Sequence, residues 1–182
     1  GRTIGEWSRG YVGAALEKGY IRGYANKTFR PKQNISRAEV ATMLSNALGT
    51  ILLEEGTYTH KFLSGNMTIS SSGVELQDTT VAGDLYITKG VGSGYVKLKN
   101  VKVLGEVIVC GGGESDWGGN SIVLDDCTIQ KLTVDGAEDK PVSLYAKGNT
   151  NVVNTNIKSD TFLENHADTI PGFDNIRVMG SQ

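Results

Sequence analysis

Three segments of this chain, 74–87, 96–109 and 122–134, align with starts 22 and 26 residues apart, and a weaker fourth starts 20 residues later at Val142-Ser143-Leu144. Each carries apolar residues in alternation, the period-2 signature of a strand with one buried face. Repeats of 20 to 30 residues that each offer a few short strands suit one coil of a parallel β-helix, where the same position stacks from coil to coil. The expected body is a right-handed parallel β-helix of about four coils over 57–160, after a short join at 50–56.

The alternation decides which side chains point inward. Val74, Leu76, Val81, Leu85 and Ile87 should stack on Val96, Leu98, Val103, Val107 and Val109, then on Ile122, Leu124, Ile129, Leu132 and Val134. Strand breaks are expected at Asp78, Asn100 and Asp125 and near Gly83 and Gly105. Outside, Glu75 should lie beside Lys97 and Lys99 beside Asp125, so that neighbouring coils present opposite charges. Residues 161–182, with Phe162, Leu163, Ile170, Phe173, Ile176 and Val178 among polar residues, read as a C-terminal cap or linker covering the open end.

The charges are unevenly spread. Residues 1–50 hold eight Lys/Arg against three Asp/Glu, whereas the rest of the chain is acidic. A compact basic unit attracts an anionic polymer over roughly 8–10 Å at physiological salt. No helix-turn-helix, RNP-type strand or zinc spacing points to nucleic acid. No apolar run approaches the roughly 20 residues that span a bilayer, so membrane insertion is not expected. The start at Gly-Arg-Thr reads as a fragment or a mature product. Cys110 and Cys127 should face different sides of the solenoid wall and stay free thiols, and no Cys/His cluster has metal-ligand spacing. No cofactor is expected.

The first fifty residues have a different period. Trp7, Tyr11, Val12, Ala15 and Leu16 recur at helical spacing and Gly19 follows as a C-terminal cap. Asn26 to Pro31 reads as a loop closed by proline. A second helix opens with a capping box of Ser36 and Glu39, and Val40, Met43, Leu44, Ala47 and Leu48 form its apolar stripe. The unit is helix, glycine-rich loop, helix, and two short helices bury too little surface to stand alone.

Trp7, the run Glu17-Lys18-Gly19-Tyr20-Ile21-Arg22-Gly23-Tyr24, Thr28-Phe29-Arg30-Pro31 and Ile35-Ser36-Arg37-Ala38-Glu39 closely resemble the S-layer homology (SLH) family pattern. The last five match its Ile-Thr-Arg-Ala-Glu motif with serine for threonine, which keeps the hydroxyl cap. The resemblance implies a noncatalytic module at 1–50 that works in threes, as upstream copies or as a homotrimer, and binds anionic secondary cell wall polysaccharide. It also implies an extracellular place, on the cell wall or S-layer. Carried onto this sequence, the binding residues would be Arg37, Ser36, Trp7, Gly23 and Arg30. Arg37 could contact a carboxylate of the glycan in bidentate fashion, and Trp7 could stack on a sugar. The Gly-Asp-Leu-Tyr-Ile and Gly-Glu-Val-Ile-Val segments are similar to a β-helical segment of SLH proteins from Gram-positive bacteria, a likeness that brings no reaction with it.

The expected function is therefore wall anchoring, with the β-helix as spacer or display stalk, and the chain is not read as an enzyme. The alternatives are a polysaccharide-binding or polysaccharide-cleaving protein acting through the β-helix face, or an S-layer structural subunit. For the first, the outward column Asp84, Glu106 and Lys131 offers carboxylates beside a lysine. The loop from Gly111 to Asn120, with Asp116 and Trp117, offers an aromatic contact to a sugar.

Overall fold

The computed structural model describes residues 4–26, 28–113, 122–136, 141–168 and 171–179. The chain divides into two compact units, Gly1–Gly49 and Thr50–Gln182. The first holds α1 (Glu6–Glu17) and α2 (Arg37–Leu48). In chain order the second holds β1 (Thr50–Leu52), β2 (Gly56–Thr59), β3 (Phe62–Leu63), β4 (Met67–Ile69), β5 (Val74–Val81), β6 (Leu85–Ile87) and β7 (Val96–Val109). It continues with β8 (Ile122–Asp125), β9 (Thr128–Val134), β10 (Val142–Gly148), β11 (Asn151–Ile157), β12 (Thr161–Ala167) and β13 (Ile176–Val178).

All strand pairings in the second unit are parallel, and they sort into three faces. One face stacks β2, the first half of β5, the first half of β7, β8, β10 and β12. A second stacks β3, the second half of β5, the middle of β7, and the starts of β9 and β11. The third stacks β1, β4, β6, the end of β7, and the ends of β9 and β11, with β13 last. The result is a three-faced parallel β-solenoid of about five turns.

The interior is the set of columns that the alternation marks. Val74 pairs with Val96 and Val96 with Ile122, Leu76 with Leu98 and Leu98 with Leu124, and all six are fully buried. Ile69, Ile87, Val109 and Val134 form a further buried column along the third face. Thr155 is itself fully buried, in the column of Leu85, Val107 and Leu132, and its hydroxyl has no hydrogen-bond partner among the described residues. A buried hydroxyl left unpaired opposes folding. Thr155→Val is therefore expected to stabilise the solenoid by about 1 kcal/mol. Urea unfolding checks this: the midpoint should rise at constant slope, and an unchanged or lower midpoint would contradict it.

The corners explain how strands continue from face to face. Asp78, Asn100 and Asp126 sit at one corner with φ of 46°, 52° and 55°, and Gly148 follows at 62°. Asx residues tolerate this left-handed backbone, and their side chains bond along the stack. Asn100 Nδ2 donates to Asp78 Oδ1 at 2.7 Å, and the Asn149 N–H donates to Asp126 Oδ1 at 2.8 Å. At the next corner Gly83 and Gly105 leave no room for a Cβ, because Gly65 and Gly83 of the preceding coils press against them. Asn66 Oδ1 accepts from the Asp84 N–H at 2.8 Å, and Asp84 Oδ1 accepts from the Glu106 N–H at 2.9 Å.

Several sequence expectations change. The strands do not break at Asp78 and Asn100, since β5 and β7 run through these corners, and the third corner residue is Asp126 rather than Asp125. Stacking already begins at Thr50, which pairs with Met67, so 50–56 is part of the first coil. In the fourth coil Ile122 pairs with Leu144, two residues beyond Val142. A two-residue slip keeps side-chain parity, so alternation could not detect it. In the stretch expected to be a cap or linker the stack continues: β12 pairs with β10, β13 pairs with β11, and Phe173 is buried beside Val152. Glu75 does lie beside Lys97 at 3.8 Å, and Lys99 is in register with Asp125, but the Asp125 carboxylate takes its ion pair from Lys147 at 3.1 Å.

Candidate functional site

Local chemistry builds the N-terminal unit. α1 ends in a Schellman motif: Gly19 has φ of 72°, its N–H donates to the Leu16 carbonyl, and the Tyr20 N–H donates to the Ala15 carbonyl. α2 opens with the expected capping box. The Ser36 hydroxyl accepts from the Glu39 N–H at 3.2 Å, while Glu39 Oε2 accepts from both the Ser36 N–H and the Ser36 hydroxyl at 2.8 Å. Ser36 is therefore committed to the helix start, with its one hydroxyl proton given to Glu39.

The loop before α2 is tied to that same carboxylate. The Tyr24 hydroxyl donates to Glu39 Oε1 at 3.1 Å, and the Arg30 guanidinium lies over the Tyr24 ring, 4.3 Å from its centroid. Arg30 also donates to Gln33 Oε1 at 3.2 Å. Three donors hold the Glu39 carboxyl below the usual carboxylate range: the Ser36 N–H first, then the Ser36 and Tyr24 hydroxyls. Donation to Glu39 pushes the Tyr24 phenol up. Gly23 has a structural reason of its own, since a Cβ there would stand 3.1 Å from the Thr28 carbonyl oxygen, whose partner is the Tyr24 N–H.

Arg30, Ser36 and Gly23 are thus linked through Tyr24 and Glu39. Arg37, on the first turn of α2, is exposed and has no hydrogen-bond or ion-pair partner among the described residues. Trp7, on α1, is 83% exposed. Neither helix buries a residue: Tyr11, Leu16, Val40, Met43, Leu44 and Leu48 are all exposed. Tyr24 was not among the binding residues that the sequence suggested. The signal for it was an aromatic hydroxyl just ahead of the proline-closed loop, 15 residues before a capping-box glutamate.

On the solenoid, the column Asp84, Glu106 and Lys131 does assemble, and its carboxylates are engaged by neighbouring side chains. Glu106 Oε2 accepts from Lys131 at 3.1 Å and Oε1 from the Thr133 hydroxyl at 2.5 Å, while Asp84 Oδ2 accepts from Tyr86 at 3.3 Å. Among the described residues no group of three His, Cys, Asp or Glu could hold a metal ion. Both cysteines are free. Burial pushes the Cys127 thiol up to about 12, and its Sγ donates to the Leu98 carbonyl at 3.3 Å. Burial, then the Asp135 charge, raises Cys110 as well. Asp116 and Trp117 lie outside the described residues.

The basic helix–loop–helix with its Ser36–Glu39 cap defines a modular unit distinct from the solenoid, and residues 2–41 match the S-layer homology domain family. The N-terminal unit of this chain is an S-layer homology domain. A 44-residue stretch is 41% identical to the cellulosome-anchoring protein of Acetivibrio thermocellus, covering 24% of this chain and 10% of that protein. An 83-residue stretch is 25% identical to the middle cell wall protein of Brevibacillus brevis, covering 44% of this chain and 8% of that protein. The matches span a tenth or less of these relatives' length. No solved structure gives a significant match.

Proposed function

We propose that this chain anchors a bacterial surface protein noncovalently to the cell wall. The SLH unit binds anionic wall polysaccharide outside the cell, and the solenoid is a rigid spacer for what it carries. The observation that carries the reading is an SLH domain whose motif arginine, Arg37, stands exposed and, among the described residues, without a hydrogen-bond or ion-pair partner. Its charge and forked donors suit a carboxylate-bearing glycan. The name of the Acetivibrio relative supports the anchoring part. A stack of about five turns at roughly 4.8 Å per coil spans on the order of 24 Å, and its interlocked corners resist bending. The reading assigns no reaction to the solenoid, whose best carboxylates are engaged by Lys131, Thr133 and Tyr86. The uncovered helix faces suit packing against other SLH modules.

Cosedimentation with purified Gram-positive cell wall, before and after the secondary polymer is stripped, tests the proposal, alongside the mass of the chain in solution. Binding should require the polymer, and Arg37→Ala should weaken it about tenfold or more, as expected for loss of a charge-assisted contact. Equal sedimentation of the chain and the variant, or binding that survives stripping, would overturn the reading.

A further inference from the structure

Arg30 and the Glu39 carboxylate both contact Tyr24, and the two form no ion pair. Glu39 is one phenol away, yet Oε1 is taken by Tyr24 and Oε2 by the Ser36 N–H and hydroxyl, all three of them neutral donors. Arg30 instead rests on the face of the Tyr24 ring and on the neutral amide oxygen of Gln33. A cation over an aromatic face is held in place without its charge being neutralised, whereas a carboxylate partner would neutralise it. The other acids of residues 1–50 are Glu6 and Glu17 on α1, and neither forms an ion pair among the described residues. The loop thus holds Arg30 in position without an ion pair among the described residues, in the same unit as Arg37.

We infer that Tyr24 is the positioning residue of the wall-polymer site: its ring carries Arg30, and its hydroxyl occupies the Glu39 oxygen that Arg30 would otherwise pair with. This keeps Arg30 available as a second cation, beside Arg37, for an anionic polysaccharide. The inference rests on the anchoring reading above and names how one part of that site is set.

The test uses the whole chain and unstripped wall, with Tyr24→Phe, Arg30→Ala, the double variant and Arg37→Ala. Phenylalanine keeps the ring and removes only the hydroxyl, so α2 should persist by circular dichroism. Tyr24→Phe frees Glu39 to take Arg30, and it should lower polymer-dependent binding several-fold, as Arg30→Ala does. The double variant should show no further loss, because both changes remove the same cation. Both single variants should also bind with a weaker dependence on salt than the unsubstituted chain, a readout that a merely structural tyrosine would not move. Unchanged binding by Tyr24→Phe, losses that add in the double variant, or an unaltered salt dependence would overturn the inference. If Arg37→Ala weakens binding while Tyr24→Phe and Arg30→Ala do not, the inference falls and the anchor stands. If the unsubstituted chain fails to sediment, or Arg37→Ala is silent, the anchoring reading falls and takes the inference with it.

Discussion

Leu98→Ala is expected to destabilise the solenoid by about 2–5 kcal/mol, the range for truncating a fully buried leucine. Leu98 has no exposed surface, and it is sandwiched between Leu76 of the coil below and Leu124 of the coil above. Strand pairing on both sides holds those neighbours at their spacing, so the wall cannot collapse into the void. The Leu98 carbonyl also accepts from the Cys127 thiol, so a local shift would disturb a second buried group. Leu104→Ala is the control, since Leu104 is 50% exposed and should lose well under about 1 kcal/mol. Urea unfolding followed by circular dichroism gives both values. Similar losses for the two variants would mean that the column does not carry the core.

Gly105→Ala should cost on the order of 2 kcal/mol or more although it adds a single methyl group. A Cβ at Gly105 would stand 2.5 Å from the Gly83 carbonyl oxygen and 2.7 Å from its carbon, and 2.5 Å from Asp84 Oδ1. Two of these atoms are backbone of the coil beneath, so the coils must part at the corner. The same movement stretches the bond from the Glu106 N–H to Asp84. Gly65→Ala is the matched control: it lies at the foot of the same glycine stack, a Cβ there meets nothing within 4 Å, and stability should hardly change. Thermal unfolding of the two variants separates a steric corner from a general dislike of side chains in turns. Equal midpoints would refute the steric account.

What the sequence could and could not say divides along one physical line. Alternation reports parity, because side chains of a strand point to opposite faces at a period of 2. Every inward residue named from the repeats, from Val74 to Val134, is buried in the structure. Capping is equally local, so the Ser36–Glu39 box and the glycine after α1 were legible from a few neighbouring residues. Register is not local. The pairing of Ile122 with Leu144 instead of Val142 preserves parity, and the stacking of Gly148 and Asn149 on Asp126 accompanies it. The first coil escaped notice because its strands are short and Met67, Thr68 and Ile69 are all buried, which erases the alternation. Asp125 prefers Lys147 to Lys99, a choice between two lysines in register on either side that only side-chain reach settles.

The candidate site follows the same division. Residue types and spacing marked Arg37, Arg30 and Ser36, because a family motif is a string of side chains in sequence order. The meeting of Tyr24 with Glu39 joins residues 15 apart, and the loop geometry that brings them together has no periodic trace in the sequence. The sequence by itself determined which side chains face inward and where the helices begin and end, since these depend on neighbours along the chain. Only the tertiary structure decided coil register, corner packing and which charges remain unpaired, since these depend on residues some twenty positions away meeting across a stack.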